Sequence, residues 1–175
     1  MLLRAKPALR SRAFTEQAVF CLSEPDLALV IKQPSVSIDH NSHAASPDRI
    51  SAQQHPHTRA NGTFSRVLRK YLWEENQLTL LDATARFFAL PAQRMRLIDP
   101  GVLKQGLWAD VVIFDPANLR DKATFENPNQ FSEGIRSVLV NGLPIIAGGN
   151  TIGGLPGKVL RGLGLEPQCE PSLVP

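Results

Sequence analysis

The residues best suited to chemistry lie between positions 39 and 62, a stretch that contains every histidine of the chain. Imidazole and carboxylate groups are ordinary ligands of Zn²⁺. The spacing His-x-x-His followed by His-x-His, with two aspartates nearby, is compatible with a zinc site. One hypothesis is therefore a His-rich metal-binding protein that uses His40, His43, His55 and His57, with Asp39 and Asp48 close by.

The segment before these residues has the pattern of a helix followed by a strand. Ser23 and Asp26 form a capping-box-like start, and Pro25 suits a first helical turn, which predicts a helix over 24–32. Its apolar face would carry Leu27, Val30 and Ile31. Pro34 ends this helix, and the alternation over 35–38 predicts a short strand.

The stretch 39–62 has almost no apolar period and predicts a long loop, a kind of segment that often carries function. Helical spacing resumes after it. Thr79 and Asp82 repeat the capping box and predict a helix over 80–88, and Pro91 suits a short helix that ends near Leu97. An apolar stripe for the core is predicted at Phe64, Val67, Leu68, Tyr71 and Leu72.

From position 99 the apolar period changes from helical to alternating. Strands are predicted over 111–114, 136–140 and 144–147, and Asn141-Gly142 indicates a type I′ hairpin turn. Pro144 lacks an N–H, so its strand should lie at the edge of the sheet. Gly101 and Gly106 would supply turns. The carboxylate of Asp110 would accept hydrogen bonds from backbone N–H groups at the start of the first strand. The glycine- and proline-rich stretch from Gly148 to the end of the chain should be loose.

Composition excludes several classes of protein. The net charge is +3 with scattered basic residues and 6% aromatic residues, which argues against a nucleic-acid partner. No apolar run reaches the length of a membrane span. Cys21 and Cys169 lie far apart and outside any Cys-x-x-Cys pair, so we expect a cytoplasmic protein without a disulfide framework.

Several motifs resemble those of the N-acyl-D-amino-acid deacylases (D-aminoacylases) of the amidohydrolase superfamily. Gln33-Pro-Ser-Val-Ser-Ile38 is similar to the segment that ends the last barrel strand in that family. His55-Pro-His-Thr-Arg-Ala-Asn-Gly-Thr-Phe64 is similar to the family's His-Pro-Arg-x-(Tyr/Trp)-Gly-Thr-Phe segment. The resemblance continues through Leu78–Ala83, Ala89–Arg94, Gly101–Pro116, Ser137–Ile146 and Gly157–Arg161.

The resemblance implies an α/β fold, present as an incomplete C-terminal piece of a (β/α)₈ metal-dependent hydrolase barrel together with a small β domain. A complete barrel needs about 250 residues, more than the 175 of this chain. The expected organisation is an irregular or disordered start over 1–19, a barrel remnant over 20–98, the β domain over 99–161 and a loose tail over 162–175.

The resemblance also assigns roles to individual residues. Asn41 stands where the family has its catalytic aspartate, and Asp39 is the alternative base only if the strand end shifts by two residues. Arg59 takes the place of an arginine that holds the substrate carboxylate, a group that a guanidinium binds bidentately, and His57 takes the place of the family histidine beside it. Zinc or another divalent metal is the family's cofactor. We expect none to be bound by this chain, and His40, His43 and His55 are the residues left as possible ligands.

By resemblance, the function is hydrolysis of the amide bond of N-acyl-D-amino acids. An amide cannot accept a proton from water at neutral pH. Asn41 therefore predicts that the chain alone is inactive. The alternatives are the His-rich metal-binding protein and a non-catalytic module or half of a split enzyme, which pairs with an N-terminal half or another oligomer partner.

Overall fold

The computed structural model describes residues 23–42, 56–97 and 101–160. Helices occupy the first two of these ranges, and an antiparallel sheet occupies the third. His43 and His55, both cysteines, the irregular start at 1–19 and the loose tail at 162–175 lie outside the described residues.

Helix α1 spans Glu24–Ile31 and begins as the sequence predicts. The backbone N–H of Asp26 donates to Ser23 Oγ at 3.3 Å, which satisfies one of the donors that a helix start leaves unpaired. Only Ile31 of its apolar residues is buried, whereas Leu27 and Val30 are exposed. The predicted apolar face of α1 therefore enters the core at its C-terminal end alone.

The strand predicted over 35–38 does not form, and that prediction is wrong. A strand is defined by a hydrogen-bonded ladder with a neighbour, and no described strand lies beside this segment. The backbone N–H of Ile38 instead donates to the carbonyl of Arg86, at 3.2 Å, on a helix.

Helix α2 spans Arg59–Arg66 and continues as the π-helix π1, Val67–Glu74. The long loop predicted over 39–62 is therefore wrong at its end, because 59–62 are helical. The predicted core stripe is confirmed in four of its five members, and Phe64 is the exposed exception. The buried members are Val67, Leu68, Tyr71 and Leu72.

Helix α3 spans Leu80–Thr84, continues as the π-helix π2, Ala85–Ala89, and ends as helix α4, Leu90–Arg94. The predicted capping box is present: Asp82 N–H donates to Thr79 Oγ1 at 3.1 Å, and Thr79 N–H donates to Asp82 Oδ2 at 3.1 Å. Pro91 lies in the first turn of α4 as predicted. The helix ends three residues before the predicted Leu97, and Arg96 follows with a positive φ of 53°.

The sheet has four antiparallel strands in chain order, β1 Val111–Phe114, β2 Ile135–Val140, β3 Leu143–Ala147 and β4 Asn150–Thr151. The three predicted strands are confirmed. The fourth lies in the stretch expected to be loose, so that expectation is wrong for residues 150–151.

The β2–β3 hairpin has the predicted turn, because Asn141 and Gly142 both have positive φ, 49° and 78°. Asp110 holds this turn as expected: the backbone N–H of Asn141 donates to Asp110 Oδ1 at 2.6 Å. The strand that contains Pro144 is not at the edge, because β4 pairs with its last residues, Ile146 and Ala147. Pro144 precedes that pairing, so its missing N–H costs no bond to β4.

One hydrophobic core joins the helices to the sheet. Leu119, on the β1–β2 connection, is 1% exposed and packs with Ala83 and the buried residues of π1. Phe114 of β1 and Ile135 of β2 pack against the same cluster. The contact fixes the position of the 115–134 connection over helix α2, where the candidate site lies.

Candidate functional site

The candidate site lies where the segment after α1 meets the beginning of helix α2. A cleft of about 1180 Å³ opens beside it and is lined by both the helices and the sheet. His40 and Arg59 line the cleft together with many apolar side chains. These include Phe64, Phe87, Phe88, Leu103, Trp108, Val112 and Phe131.

Asn41 and Arg59 are in direct contact. The Nε–H of Arg59 donates to the backbone oxygen of Asn41 at 3.1 Å across eighteen positions of sequence. Asn41 has a φ of 40°, in the left-handed region that asparagine tolerates better than most residues. The structure thus brings together two of the residues that the sequence singled out. Among the residues that it describes, no carboxylate forms an ion pair with Arg59.

Asp39 is exposed, with 79% of its side chain accessible to solvent. Its Oδ1 accepts the backbone N–H of His40 at 2.7 Å and lies 3.1 Å from His40 Nδ1. These hydrogen bonds, the backbone one first, lower the pKa of Asp39 below its usual value. A carboxylate with a lowered pKa is a weaker proton acceptor at neutral pH, which makes Asp39 a poor general base.

His57 supports the start of helix α2. The backbone N–H of Arg59 donates to His57 Nδ1 at 3.1 Å, whereas the N-cap residue Thr58 makes no side-chain capping bond. The imidazole also stands edge-on to Phe125, with 5.2 Å between ring centroids. Burial, and then the charge of Arg59, lower the pKa of His57. Because Nδ1 accepts the Arg59 N–H, the proton of the neutral ring is on Nε2.

The described residues do not assemble a metal site: no group of three or more His, Cys, Asp or Glu side chains could hold an ion there. His40 pairs with Asp39, and its ring centroid lies 5.9 Å from that of Phe64. His57 accepts a hydrogen bond from the backbone N–H of Arg59. The other two histidines of the predicted pairs, His43 and His55, fall outside the described residues.

The β1–β2 connection forms one wall of the site, and the sequence did not predict this. Asn61 Nδ2–H donates to the carbonyl of Pro128 at 2.9 Å, and Ser132 Oγ–H donates to the carbonyl of Asn61 at 3.1 Å. The hydroxyls of Ser65 and Ser132 lie 2.6 Å apart. These partners are separated by 67 or more positions and belong to no local motif, so spacing alone could not have found them.

In the three described ranges, no helix has the length and apolar character required to cross a bilayer.

Comparisons with known proteins give consistent matches. A model of the amidohydrolase family matches residues 39–146. An N-acyl-D-aspartate deacylase of Alcaligenes xylosoxydans xylosoxydans is 37% identical over 141 residues, covering 81% of this chain and 27% of the relative. An N-acyl-D-glutamate deacylase of the same organism is 43% identical over 114 residues, covering 65% and 23%.

The structure also resembles a solved structure of D-aminoacylase, a protein described as having a binuclear metal centre. The TM-score is 0.70 with 33% identity, over 79% of this chain and 28% of the other. The chain thus spans about a quarter of the length of the relatives that it matches.

Proposed function

The chain belongs to the amidohydrolase family, and from this premise we propose that it provides the substrate-carboxylate site of an N-acyl-D-amino-acid deacylase. The deacylases that it resembles act on substrates with a free carboxylate, as their names state for N-acyl-D-aspartate and N-acyl-D-glutamate. A site for such a substrate needs a cationic group beside a cleft, and Arg59 is that group here.

The contact between Arg59 and Asn41 carries the proposal. A guanidinium has five N–H donors in a planar fork. Its Nε is fixed by the Asn41 carbonyl, and Arg59 lines the cleft without an ion-pair partner in the described part of the chain. Fixing one nitrogen orients the terminal amino groups, so little side-chain entropy is lost when they bind a carboxylate. A bidentate Arg–carboxylate pair is among the stronger contacts in proteins.

Catalysis by the chain alone is not part of the proposal. Asn41 has an amide where the related enzymes have the catalytic aspartate, and the lowered pKa of Asp39 makes it a weak base. The family's zinc or other divalent ion does not fit the described residues, since no set of three ligands is formed among them. We therefore assign binding to this chain and route no chemical step through a metal.

The test measures binding of N-acetyl-D-glutamate and N-acetyl-D-aspartate to the purified chain by isothermal titration or NMR. Arg59→Gln should weaken binding roughly 10- to 100-fold, which corresponds to the loss of charge-assisted hydrogen bonds worth about 1.5–3 kcal/mol. Arg96→Gln is the matched control, because Arg96 is also exposed and is not itself among the residues that line the cleft, although its neighbours Met95 and Leu97 are. Equal affinity in wild type and Arg59→Gln would refute the assignment.

A turnover assay completes the test. The chain incubated with the same substrates and Zn²⁺ should release no amino acid. Release that a chelator abolishes would contradict the proposed lack of catalysis and would return Asp39 or Asn41 to consideration as functional groups.

A second candidate, a module that pairs with another chain, is favoured by the exposure of apolar side chains along the cleft. Leu80, Phe88, Met95, Leu103 and Trp108 line it and are all exposed. Monomeric proteins rarely leave contiguous apolar surface of this kind uncovered. Co-expression with a polypeptide covering the remainder of a related deacylase should give a stable complex in size-exclusion chromatography if this candidate is correct.

A further inference from the structure

The segment from Ile31 to Ile38 connects helix α1 to the candidate site and is held by side chains instead of a strand ladder. In the described ranges its one backbone hydrogen bond to an element other than α1 runs from Ile38 N–H to Arg86 O, at 3.2 Å. An extended segment without ladder partners has many conformations open to it. Some other interaction must therefore select the path that leads to Asp39 and Asn41.

Arg94, in the last turn of α4, supplies one such interaction. Its Nη1–H donates to Ser37 Oγ at 2.7 Å, and its Nη2–H donates to the carbonyl of Ser35. One guanidinium thus binds a side chain and a backbone oxygen two residues apart. A lysine has three N–H donors but they share one nitrogen, so it lacks the two separate nitrogens with which Arg94 reaches Ser37 Oγ and Ser35 O.

Arg86, in π2, supplies the second. It is 5% exposed, and its Nη1–H donates to the carbonyl of Ile31, the last residue of α1. Carbonyls at a helix C-terminus lack intrahelical donors and favour a nearby cation. The same residue also accepts Ile38 N–H on its backbone oxygen, so Arg86 contacts both ends of the segment.

The two arginines stand eight positions apart along one continuous helical stretch, π2–α4. Eight residues of α-helix span about 12 Å. The two arginines therefore bind the segment at separate points, Arg86 at Ile31 and Arg94 at Ser35 and Ser37. Beyond it, Asn41 O accepts from Arg59, which anchors the far end to helix α2.

We propose that Arg86 and Arg94 are positioning residues that fix the path of residues 31–38 and so place Asn41 against Arg59. The other described interactions of the segment are the backbone hydrogen bonds of Gln33, Val36 and Ile38, the Gln33 Nε2–H bond to Leu29 O, and the packing of Ile31 and Ile38 on the core. None of them holds Ser35 or Ser37, the residues that Arg94 contacts. The consequence for ligand binding rests on the proposed function, whereas the consequence for the segment itself does not.

Hydrogen exchange of the ligand-free chain, read at single amides by NMR, tests the proposal. The probes are Val36, Ile38 and His40, whose N–H groups donate to Gln33 O, Arg86 O and Asp39 Oδ1. Arg94→Ala should speed exchange at these amides roughly tenfold or more, as expected for losing about 1.4 kcal/mol of local stability. Amides of π1 and the thermal midpoint should stay unchanged.

Three further variants separate positioning from general stabilisation. Arg94→Lys should not restore full protection, because a single ammonium does not reproduce the spacing and directions of Nη1 and Nη2. Ser37→Ala, which removes one of the two acceptors, should give an intermediate effect. Arg96→Ala, two residues away with no described contact to the segment, should match wild type. Unchanged exchange at the probes in Arg94→Ala would overturn the proposal.

Arg86→Met is the matching change at the buried position. Should this variant fail to fold, the Arg94 and Ser37 variants still decide the question. Titration with N-acetyl-D-glutamate is the second measurement. Arg94→Ala should lower the affinity for this ligand and leave the thermal midpoint unchanged. If wild type binds no ligand while Arg94→Ala still accelerates exchange, the proposed function fails and the positioning role stands.

Discussion

The phenol of Tyr71 donates a hydrogen bond of 2.9 Å to the carboxylate of Glu24, forty-seven positions earlier in the chain. The same oxygen of Glu24 accepts from Lys70 Nζ at 2.5 Å. Glu24 is the first residue of α1, and Tyr71 and Lys70 belong to π1. These bonds tie the N-terminal end of α1 to π1, which contributes four of the nine buried residues of the core cluster, and Arg86 binds the other end of α1.

This contact predicts a pH dependence of stability. The hydrogen bond from Lys70, then the one from Tyr71, lower the pKa of Glu24 from its usual 4.5. A lowered carboxyl pKa contributes stability that is present above the unfolded value and is lost as pH falls through the folded value. Chemical denaturation from pH 7 to pH 3 should show this loss in wild type and a smaller one in Glu24→Gln.

The effect should be modest because the side chain of Glu24 is 56% exposed and solvent screens the ion pair. Asp26→Asn is the control, since Asp26 lies in the same helix turn without a bond to π1. Identical pH profiles for Glu24→Gln and wild type would rule out the proposed contribution.

A second prediction concerns Gly134, just before β2. A Cβ placed there would lie 2.6 Å from the backbone N and Cα of Leu119, and φ is 84°. Backbone atoms cannot yield as a flexible side chain can, so Gly134→Ala should displace the most buried leucine of the core. The expected loss of unfolding free energy is about 3 kcal/mol or more, combining the left-handed strain with overpacking.

Gly106→Ala separates these two causes. Gly106 has a similar φ of 91°, but a Cβ there meets nothing within 4 Å. The Gly106→Ala variant should lose only the free energy that a left-handed backbone conformation costs a residue with a Cβ, about 1–2 kcal/mol. Urea denaturation of both variants measures the difference, and equal losses would show that the contact with Leu119 is unimportant.

The sequence predicted the elements whose signals are local. The capping box at Thr79 and the turn at Asn141-Gly142 each depend on residues a few positions apart, and both formed as expected. The buried stripe of π1 could be predicted in the same way, because helical spacing determines which side chains share a face. Family membership was also predicted, from motifs that extend along most of the chain.

The errors came from interactions between distant parts of the chain. The alternation at 35–38 suggested a strand, but a strand needs a partner, and the segment is held by Arg86 and Arg94 instead. The start of α2 was missed because residues 59–62 contain no apolar period. Helix formation there is supported by His57 and by the contact of Asn61 with Pro128. The His57 contact is local, two positions from Arg59, whereas the contact of Asn61 with Pro128 spans 67 positions and leaves no trace in local spacing.

The residue at position 41 offers a third prediction. By the motif resemblance, position 41 corresponds to the family's catalytic aspartate, and its backbone oxygen contacts the guanidinium of Arg59, so Asn41→Asp introduces a carboxylate close to this arginine. The new anion should compete with a ligand carboxylate for Arg59, so affinity for N-acetyl-D-glutamate should fall roughly tenfold. No turnover should appear, because the proposal gives this chain binding without catalysis.

Asn76→Asp is the matched control for that variant. Asn76 is also exposed and also has a positive φ, 50°, but it follows π1 and makes no described hydrogen bond with Arg59. Its affinity for the ligand should equal that of wild type. Tighter binding by Asn41→Asp would mean that position 41 does not face the ligand carboxylate.

The fourth prediction uses His57, whose pKa is lowered below 6.5 by burial and by the charge of Arg59. Between the lowered folded value and 6.5, the unfolded chain binds a proton that the folded chain does not, so stability rises with pH in that window. Protonation of Nδ1 would also remove the acceptor for Arg59 N–H at the start of α2. His57→Asn keeps a polar acceptor that does not titrate, so it should flatten this part of the stability–pH profile.

His40→Asn is the comparison variant. NMR titration of the His40 and His57 imidazoles in wild type would show directly whether His57 protonates below 6.5. A His57 that titrates at or above that value would remove the basis for this prediction.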